Sequence, residues 1–403
     1  MLDKQTVYKK QIQKHLYFGG ELSCADLSEL TKRSIPLTAK IINELIEEGS
    51  VVETGLANST GGRRPQMYSL KSDITYIVAV SMDQLVTRIA ILDMQNNYVV
   101  PIENFELTLA NNPQALYQLL DLLKKYIAKS GISKEKIIGV GIGMPGFVDV
   151  KKSINTPYLK PAKGNIVSEL ETELNIPVFI DNDSSLVALA ELKFGKARNT
   201  KNTMVINIGW GVGLGMILNG ELFRGHNGFA GEFSHIPIFT NNKICGCGKS
   251  GCLETETSLL VIIEKALKGI KEGKSTSLKN IHPEHPEEAA HQILEAALNG
   301  DSFSIDLISE IGYNIGRGVA ILIHILNPEL IVLSGRGSIA GRLWRAPIQQ
   351  AINKLCIPKI AEDTYIEISH LNYQAEIIGT ACLVMDQIDK RKFLLTHEKN
   401  LIS

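Results

Sequence analysis

The sequence predicts an α/β protein of two strand-rich lobes that follow a small, mainly helical N-terminal region. Buried strands alternate with amphipathic helices through residues 73–190 and again through residues 191–375. Polar or glycine-rich clusters directly follow several strands, at the end where α/β folds bind ligands. Residues 1–72 contain only short apolar stripes separated by glycines. We therefore predict three domains with these boundaries, and a C-terminal helix at about residues 376–388 that packs back on the first lobe.

The composition predicts a folded protein of the cytoplasm. Hydrophobic residues make up 44% of the 403 residues, and the net charge is −1, so the surface as a whole is not strongly basic. No stretch approaches about 18 consecutive apolar residues, and the N-terminus lacks the apolar centre of a secretory signal. Neither a membrane span nor secretion is expected. Three of the six cysteines are clustered, which favours a reducing compartment and one metal site.

Short helices are predicted at the start of the chain. The first covers about Gln5–Phe18 and ends at a pair of glycines. The second follows Ser23, which has Asp26 three residues later as a partner in a capping box. Residues 1–72 carry ten Lys or Arg against eight Asp or Glu, a slight basic excess.

A third helix follows a tight turn and is predicted to be capped by Ser34. Its apolar stripe consists of Leu37, Ile41, Leu45 and Ile46. Two short helices joined by a tight turn are typical of a helix-turn-helix motif. The polar residues expected to face outward, toward DNA bases, are Thr38, Lys40 and Asn43. A small helical bundle with solvated polar faces is the alternative.

A β-hairpin is predicted after the third helix, with strands at about Val51–Thr54 and Met67–Leu70. The loop between them contains Gly61-Gly62-Arg63-Arg64-Pro65. Two glycines followed by two arginines suit contact with the DNA backbone or insertion into a minor groove. Arg63 and Arg64 are therefore candidate DNA-binding residues.

A second motif combines one histidine with three cysteines: His235, Cys245, Cys247 and Cys252. Three thiolates and one imidazole at these separations can close a tetrahedron around a structural Zn²⁺, one per chain. Glycines between the cysteines let the backbone fold tightly. A disulfide with one spare thiol is the alternative.

Two carboxylates flank this metal-binding motif. Glu232 lies three residues before His235, and Glu254 follows the last cysteine by two. A bound metal would fix the loop of residues 235–252 so that Glu232, His235 and Glu254 face one small cavity. Because such groups can bind several hydroxyls at once, the cavity suits a sugar better than an apolar ligand.

The run of Gly-Glu-x-x-His and Cys-x-Cys-Gly-x-x-Gly-Cys-Leu-Glu resembles the signature of the ROK family (repressors, open reading frames, kinases). The resemblance covers about residues 1–385 and implies a two-lobed, actin-like (ribonuclease H-like) domain. It also implies that Asn182 and Asp183 grip a sugar together with the residues named above. In the family's kinases, the position of Asp183 holds the general base. An Asp that caps the following helix is the alternative role.

The resemblance separates two classes within the family. The Ser-Thr-Gly-Gly-Arg-Arg-Pro run is similar to the wing that ROK repressors carry and ROK kinases lack, which implies a winged helix-turn-helix. In the kinases an Asp-x-Gly-Gly-Thr segment cradles phosphates, whereas this chain has Ser81-Met82-Asp83-Gln84-Leu85. Trp210 stands where the kinases place a small residue. Loss of the kinase activity is expected.

The sequence thus predicts a sugar-responsive transcriptional regulator, a repressor of carbohydrate genes. It would bind operator DNA as a homodimer or homotetramer and take a sugar or sugar phosphate as effector. Two alternatives are an ATP-dependent ROK sugar kinase that carries an extra DNA module, and a repressor controlled by a protein partner.

Overall fold

A computed structural model describes residues 4–58 and 64–389 of the chain. The chain forms two compact units. The first contains the chain up to Asn182 and from Thr380 onward, and the second is Asp183–Gly379. The domain boundaries proposed from the sequence stay predictions. None of the helices in the described part of the chain combines the length and hydropathy that a membrane-spanning segment needs.

The first unit begins with three helices and a small sheet, which we call the head (residues 4–58 and 64–70). The three strands are antiparallel, in the order β1-β3-β2. The elements of the head are α1 (Lys4–Gly19), β1 (Leu22–Ser23), α2 (Cys24–Thr31), α3 (Ile35–Glu47), β2 (Val51–Leu56) and β3 (Gln66–Leu70).

The predicted capping box at the start of α2 is confirmed. The Ser23 hydroxyl accepts from the Asp26 amide, and the Asp26 carboxylate accepts from the Ser23 amide at 2.9 Å. Ser34 is the N-cap residue of α3, as predicted, but its side chain makes no capping hydrogen bond. The helix still begins there, with Pro36 in its first turn, where a missing N–H leaves no helical hydrogen bond unmade.

Two residues of α3 face the opposite way from the sequence prediction. The buried stripe is Thr38, Ile41, Ile42 and Leu45, spaced as one face of a helix requires. Thr38 is fully buried, and its hydroxyl lies 2.6 Å from that of Tyr8 and donates to the Ser34 carbonyl, so its predicted outward position is wrong. Leu37, predicted to be in the core, is 42% exposed. Both Leu37 and Thr38 have a helical spacing from Ile41, and the sequence prediction placed the apolar residue, Leu37, in the core. The structure buries Thr38 instead.

The rest of the first unit is built on a five-stranded sheet in the order β10-β7-β4-β5-β6. Strands β4, β7 and β10 are parallel, while β4, β5 and β6 form an antiparallel meander. The elements are β4 (Tyr76–Met82), β5 (Val86–Asp93), β6 (Tyr98–Glu106), α4 (Ala115–Ser130), β7 (Ile137–Met144), β8 (Phe147–Asp149), β9 (Ile154–Thr156), α5 (Ile166–Leu174) and β10 (Val178–Asn182).

The second unit contains a five-stranded sheet in the order β13-β12-β11-β14-β15. Its elements, with the final helix whose later turns belong to the first unit, are α6 (Asp183–Phe194), β11 (Thr203–Ile208), β12 (Val212–Leu218), β13 (Glu221–Phe223), α7 (Leu259–Lys271), α8 (Pro286–Leu298), α9 (Ser302–Leu326), β14 (Leu330–Ser334), α10 (Arg345–Leu355), α11 (Pro358–Ala361), β15 (Tyr365–Ile368) and α12 (Ala375–Gln387).

The two sheets share one design. In each, the first strand pairs in parallel with the fourth and the fourth with the fifth, while the first three strands form an antiparallel meander. The order of strands, 3-2-1-4-5, is therefore the same in both units. This repetition agrees with the duplicated architecture that the sequence predicted.

Glycines in β12 bring α6 close to the sheet of the second unit. A Cβ atom at Gly213 would lie 1.8 Å from the Ser184 hydroxyl, and one at Gly215 would lie 2.2 Å from the Ala188 methyl. These glycines belong to a run from Gly209 to Gly215 in which every second residue is glycine. In this chain they have a packing role, because any side chain would push α6 away from β12.

The head is attached to the rest of the first unit through α1 and the hairpin. Lys14 pairs with Asp386 at 2.9 Å, and the Tyr17 hydroxyl donates to Asn96. The side-chain amide of Gln95 donates to the Leu70 carbonyl at 2.9 Å. A cavity of about 100 Å³, lined mainly by aliphatic side chains, lies between the head and the lobe.

Candidate functional site

The four predicted metal ligands converge in the second unit. The donor atoms of His235, Cys245, Cys247 and Cys252 all lie within 4.8 Å of one another. The Cys247 and Cys252 sulfurs are 3.6 Å apart, and Cys245 Sγ lies 3.5 Å from His235 Nδ1. Zn–S bonds of about 2.3 Å in a tetrahedron place sulfurs about 3.8 Å apart. The donor set and its spacing therefore fit a tetrahedral ion.

Backbone hydrogen bonds shape the loop that carries these ligands. The Cys245 amide donates to the Lys249 carbonyl, and the Gly251 amide donates to the Lys243 carbonyl. Gly251 has a positive φ of 75°, and a Cβ atom there would lie 2.1 Å from the Phe239 carbonyl oxygen. Only glycine fits this position, which turns the chain so that Cys252 returns to the other ligands.

The cysteine cluster favours a bound cation. Burial, with a smaller contribution from the nearby carboxylate of Glu254, raises the pKa of the Cys245 thiol to about 12. A thiolate at Cys245 therefore needs a compensating positive charge, which a divalent metal ion supplies. The cysteines are free thiols, so the disulfide alternative is not what the structure contains.

Carboxylates lie on both sides of the His235 ring. Its Nε2 atom is 3.7 Å from Glu232, and its Nδ1 atom is 3.9 Å from Glu254. The Nδ1 side also faces Cys245. The imidazole can therefore hold a metal ion with Nδ1 while Nε2 points toward Glu232, as in metal sites whose second nitrogen is held by a carboxylate.

Asp183 lies at the start of α6, half-buried in the second unit. Burial, followed by the charges of Glu376 and Glu232, raises the pKa of Asp183 to about 7. The Ser184 amide donates to the Asp183 carboxylate at 2.7 Å. Asp183 therefore also accepts a backbone amide at the N-terminal end of α6, in line with the alternative role given above. Asp183 and Glu232 are thus close enough for their charges to interact, as a shared site for a polar ligand requires.

Asn182 ends β10 and closes the first unit. Its side-chain amide donates to the Gly146 carbonyl at 3.3 Å, and its backbone amide donates to the Asp181 carboxylate at 2.9 Å. The contact with Gly146 joins the end of β10 to the Gly-Met-Pro-Gly turn that follows β7. The polar cluster therefore stands at the C-terminal ends of two parallel strands, where the sequence predicted it.

The turn between β4 and β5 satisfies its own backbone groups. The Asp83 carboxylate accepts from the amides of Leu85 and Val86, both at 2.8 Å. The Asp83 amide donates to the Val86 carbonyl at 3.0 Å. A phosphate-binding loop instead needs amides that point at the anion. Two amides of this turn are already occupied, which agrees with the loss of a phosphate cradle inferred from the sequence.

A buried arginine lies against Trp210, where the sequence suggested that a bulky ring would crowd a phosphate. The Arg336 guanidinium lies 4.9 Å from the Trp210 ring centre and 5.1 Å from that of Tyr373, and it pairs with Glu287 at 2.5 Å. A cation stacked on two aromatic rings and paired with a carboxylate is held firmly in place. The space beside Trp210 is therefore filled by protein.

The predicted DNA-binding residues of the head fall into three groups. Lys40 and Asn43 are exposed on α3, whereas Thr38 is buried, as described above. The exposed Arg64 donates through Nε to the Ala57 carbonyl at 2.7 Å, at the base of the hairpin loop. Arg63 lies outside the described residues.

Sequence reasoning missed three residues near these sites. Glu376 lies beside Asp183 although it is far away in the sequence, and Arg336 and Tyr373 lie close to Trp210. No spacing pattern could have found them, because each contact joins distant parts of the chain.

Comparisons with known proteins agree with this fold. A sequence profile of the ROK family matches residues 86–387. The xylose repressor of Caldicellulosiruptor bescii is 30% identical over 373 residues, which is 91% of this chain and 92% of that protein. The glucokinase of Halalkalibacterium halodurans is 34% identical over 276 residues, 67% of this chain and 82% of that protein. A solved ROK family transcriptional regulator, a homolog of the Escherichia coli MLC protein, superimposes with a TM-score of 0.77 at 24% identity, over 98% of both chains.

Proposed function

This chain belongs to the ROK family, and from that premise we propose that it is a sugar-responsive transcriptional repressor of carbohydrate genes. The observation that carries the proposal is the head of three helices and a three-stranded sheet, which precedes the residues matched by the family profile. The similarity to a xylose repressor extends over 91% of this chain, whereas the similarity to a glucokinase extends over 67%. A catalytic domain alone has no need of such a head.

The head is a winged helix-turn-helix in this proposal. Helix α3 enters the major groove with Lys40 and Asn43, and the hairpin loop carries Arg63 and Arg64 to the DNA backbone or the minor groove. Thr38 supports α3 from inside and does not touch bases. Operator DNA is bound by a homodimer or homotetramer, so that two heads meet two half-sites.

The effector in this proposal is a sugar or sugar phosphate. Its hydroxyls are bound by Asn182, Asp183, Glu232, His235 and Glu254. Zn²⁺ on His235 and the three cysteines holds the wall that carries Glu232 and Glu254 in position. When bound, the ion supplies structural rigidity and no chemistry, since a Cys₃His set leaves no open coordination position.

Effector binding and DNA binding must then be coupled thermodynamically. The route within the first unit is the attachment of α1. Lys14 is held by Asp386 of α12, and Tyr17 is held by Asn96 beyond β5. A shift of these contacts would change the position of the head.

An ATP-dependent sugar kinase is the second candidate, and one observation favours it. A carboxyl whose pKa is about 7 is suited to act as a general base near neutral pH, and Asp183 has that property. Against it stand the turn at Asp83, whose amides are occupied, and the arginine packed beside Trp210. We therefore assign Asp183 to hydroxyl binding without phosphoryl transfer.

The decisive experiment selects DNA from a random duplex pool with the full-length protein. The enriched duplex is then titrated with a panel of pentoses, hexoses, N-acetylhexosamines and their phosphates, by fluorescence anisotropy. We expect one duplex family and one effector that changes the affinity for DNA. Failure to enrich any duplex contradicts the proposal, and sugar-dependent ADP release would establish the kinase. An enriched duplex whose affinity responds to no sugar would favour control by a protein partner.

The wing makes a separate prediction. Arg63→Ala combined with Arg64→Ala should weaken binding to the selected duplex and lower the slope of log affinity against log salt by about two for each head. The physical reason is that each lost phosphate contact releases about one counterion fewer. The matched control is Lys151→Ala with Lys152→Ala, an exposed basic pair in the first lobe outside the head. An unchanged slope in the arginine variant would rule out a wing contact.

A further inference from the structure

The first turn of α3 exposes a cluster of aliphatic side chains. Ile35 is 56% exposed and Leu37 is 42% exposed, with the exposed Pro36 between them. The buried stripe of the helix begins only at Thr38, which turns its hydroxyl inward to Tyr8. The outward surface of this turn is therefore hydrocarbon. Exposing large aliphatic side chains to water gives no stability, so a partner surface is the natural explanation.

Basic residues surround this apolar turn, and the Glu44 carboxylate of α3 lies 3.9 Å from one of them, Lys40. Lys32, Arg33 and Lys40 are exposed just before and after it. The carboxylates of Glu44 and Glu48 are paired with Lys9 of α1, at 3.0 and 2.5 Å.

The exposed Glu47 lies about 18 Å along the helix axis from Ile35, twelve residues at about 1.5 Å each. The hydrocarbon patch thus lies in a positively charged setting that complements a polyanion. Such a setting opposes the approach of a second, identical head.

We propose that Ile35 and Leu37 recognise thymine bases in the operator through contact with their C5 methyl groups. The inference rests on the proposed DNA-binding function and adds a specificity mechanism to it. Residues at the N-terminal end of a recognition helix contact base edges in the major groove. Among the groups that bases present there, the thymine methyl is the apolar one.

This assignment gives the two parts of α3 different roles in base recognition. Lys40 and Asn43, one and two turns further along, offer hydrogen-bond donors for purine edges. The side chains of the first turn offer no donor to bases, because Ile35, Pro36 and Leu37 are hydrocarbon and the Thr38 hydroxyl faces inward. The operator half-site should therefore contain thymines at positions that the first turn covers, next to the bases that Lys40 and Asn43 contact.

The test is a double-mutant cycle that combines side-chain truncation in the protein with removal of thymine methyl groups from the DNA. The duplex selected by the full-length protein is resynthesised with uracil in place of each thymine, one position at a time. Uracil keeps every hydrogen-bonding group and lacks only the methyl. We expect uracil at one or two positions of each half-site to lower the affinity of the unaltered protein about fourfold, the factor that burial of one methyl group gives.

The same replacements should be neutral in the matching variants. Leu37→Ala and Ile35→Ala should each bind the thymine duplex more weakly and lose the response to uracil at one position. The controls are Leu298→Ala and Ile357→Ala, whose wild-type side chains are 43% and 59% exposed in the second unit, and which should keep the full response. All four changes lie at the surface, and thermal unfolding checks that each variant is folded.

Several results would overturn the proposal. A selected duplex without preferred thymines, a response to uracil at no position, or a response that persists in both head variants would each do so. If the head variants instead change the sedimentation coefficient, the patch joins copies of this chain. Each of these results is distinct from failure of the proposed function itself, in which no duplex is enriched.

Discussion

Two loops of this chain differ in how their polar groups find partners. The turn between β4 and β5 closes on itself, because the Asp83 carboxylate accepts from the amides of Leu85 and Val86. The loop of residues 235–252 gathers four donor atoms within 4.8 Å of one another, with a thiol whose pKa is strongly raised. The first satisfies its own amides without a ligand, and the second has a donor set that could hold a metal ion.

The difference teaches how a ligand site can be lost or kept. A phosphate-binding turn becomes inert when one of its own side chains occupies the amides that the anion would use. A single side chain cannot take the place of a metal ion in the same way, because four donor atoms from separate positions need a partner at once. The following predictions test this contrast, beginning with the largest expected effect.

Removal of the metal should have the largest effect. Cys252→Ser replaces a fully buried ligand, and we expect loss of bound zinc together with at least about 4 kcal/mol of the free energy of unfolding. For a chain of 403 residues, that loss lowers Tm by about 5 °C. Metal content by mass spectrometry and thermal unfolding measure both. A chelator should lower the Tm of the unaltered protein to that of the variant.

The control for this prediction is Cys356→Ser, a buried thiol outside the cluster. It should lose some packing energy and keep its zinc. Because backbone hydrogen bonds also hold the loop, the loss should stay below the ~10–16 kcal/mol of isolated zinc-finger peptides. If Cys252→Ser retains zinc in full, the ligand set is wrong.

The self-contained turn should show a smaller effect that is independent of metal. Asp83→Ala removes the acceptor of two amides and should cost about 2 kcal/mol in the free energy of unfolding. Asp83→Asn keeps a side-chain oxygen at the same place and should restore most of this loss. Urea denaturation with and without a chelator measures it. A chelator-dependent loss in Asp83→Ala would contradict the separation of the two loops.

Much of the fold could be predicted from the sequence, because local patterns determine it. The predicted alternation of buried strands and helices rests on continuous apolar runs such as those of β7 and β11, which are buried strands in the structure. Strand β6 carries a weaker signal, because its alternating exposed residues lack a continuous apolar run. Helix α7 begins at Leu259, because the residues before it form a separate short turn after the loop of residues 235–252.

The cluster of His235, Cys245, Cys247 and Cys252 was predictable because the spacing of these residues in the sequence is itself the signal, and the structure brings all four together. The neighbours of Asp183 and Trp210 were not predictable, since Glu376 and Arg336 approach them from distant parts of the chain. The orientation of Thr38 was mispredicted for a local reason. A polar side chain was assumed to face water, although its hydroxyl finds a partner inside the head.

The smallest effect concerns Asp183, a half-buried carboxyl near the negative charges of Glu376 and Glu232. Its pKa is raised from about 3.9 in an unfolded chain to about 7. A raised carboxyl pKa contributes stability that is fully present below pH 4 and is lost as the pH rises through 7. Asp183→Asn abolishes this dependence while keeping an acceptor for the Ser184 amide. We therefore expect the variant to be more stable than the unaltered protein at pH 8 by about 1 kcal/mol, allowing for solvent screening of a half-buried group.

Urea denaturation at pH 5 and pH 8, with saturating zinc, tests the expectation for Asp183. The difference in stability between the two proteins should be clearly smaller at pH 5 than at pH 8, because the stability contributed by Asp183 is lost progressively between its unfolded pKa and its folded pKa. Asp121→Asn, which changes an exposed carboxylate paired only with Lys125, should produce no such pH-dependent difference. Sugar binding should move oppositely, because an amide accepts a hydroxyl hydrogen bond less strongly than a carboxylate does. A variant that is less stable at both pH values would mean that the charge of Asp183 is compensated by contacts stronger than those of Ser184, and that burial does not dominate its pKa.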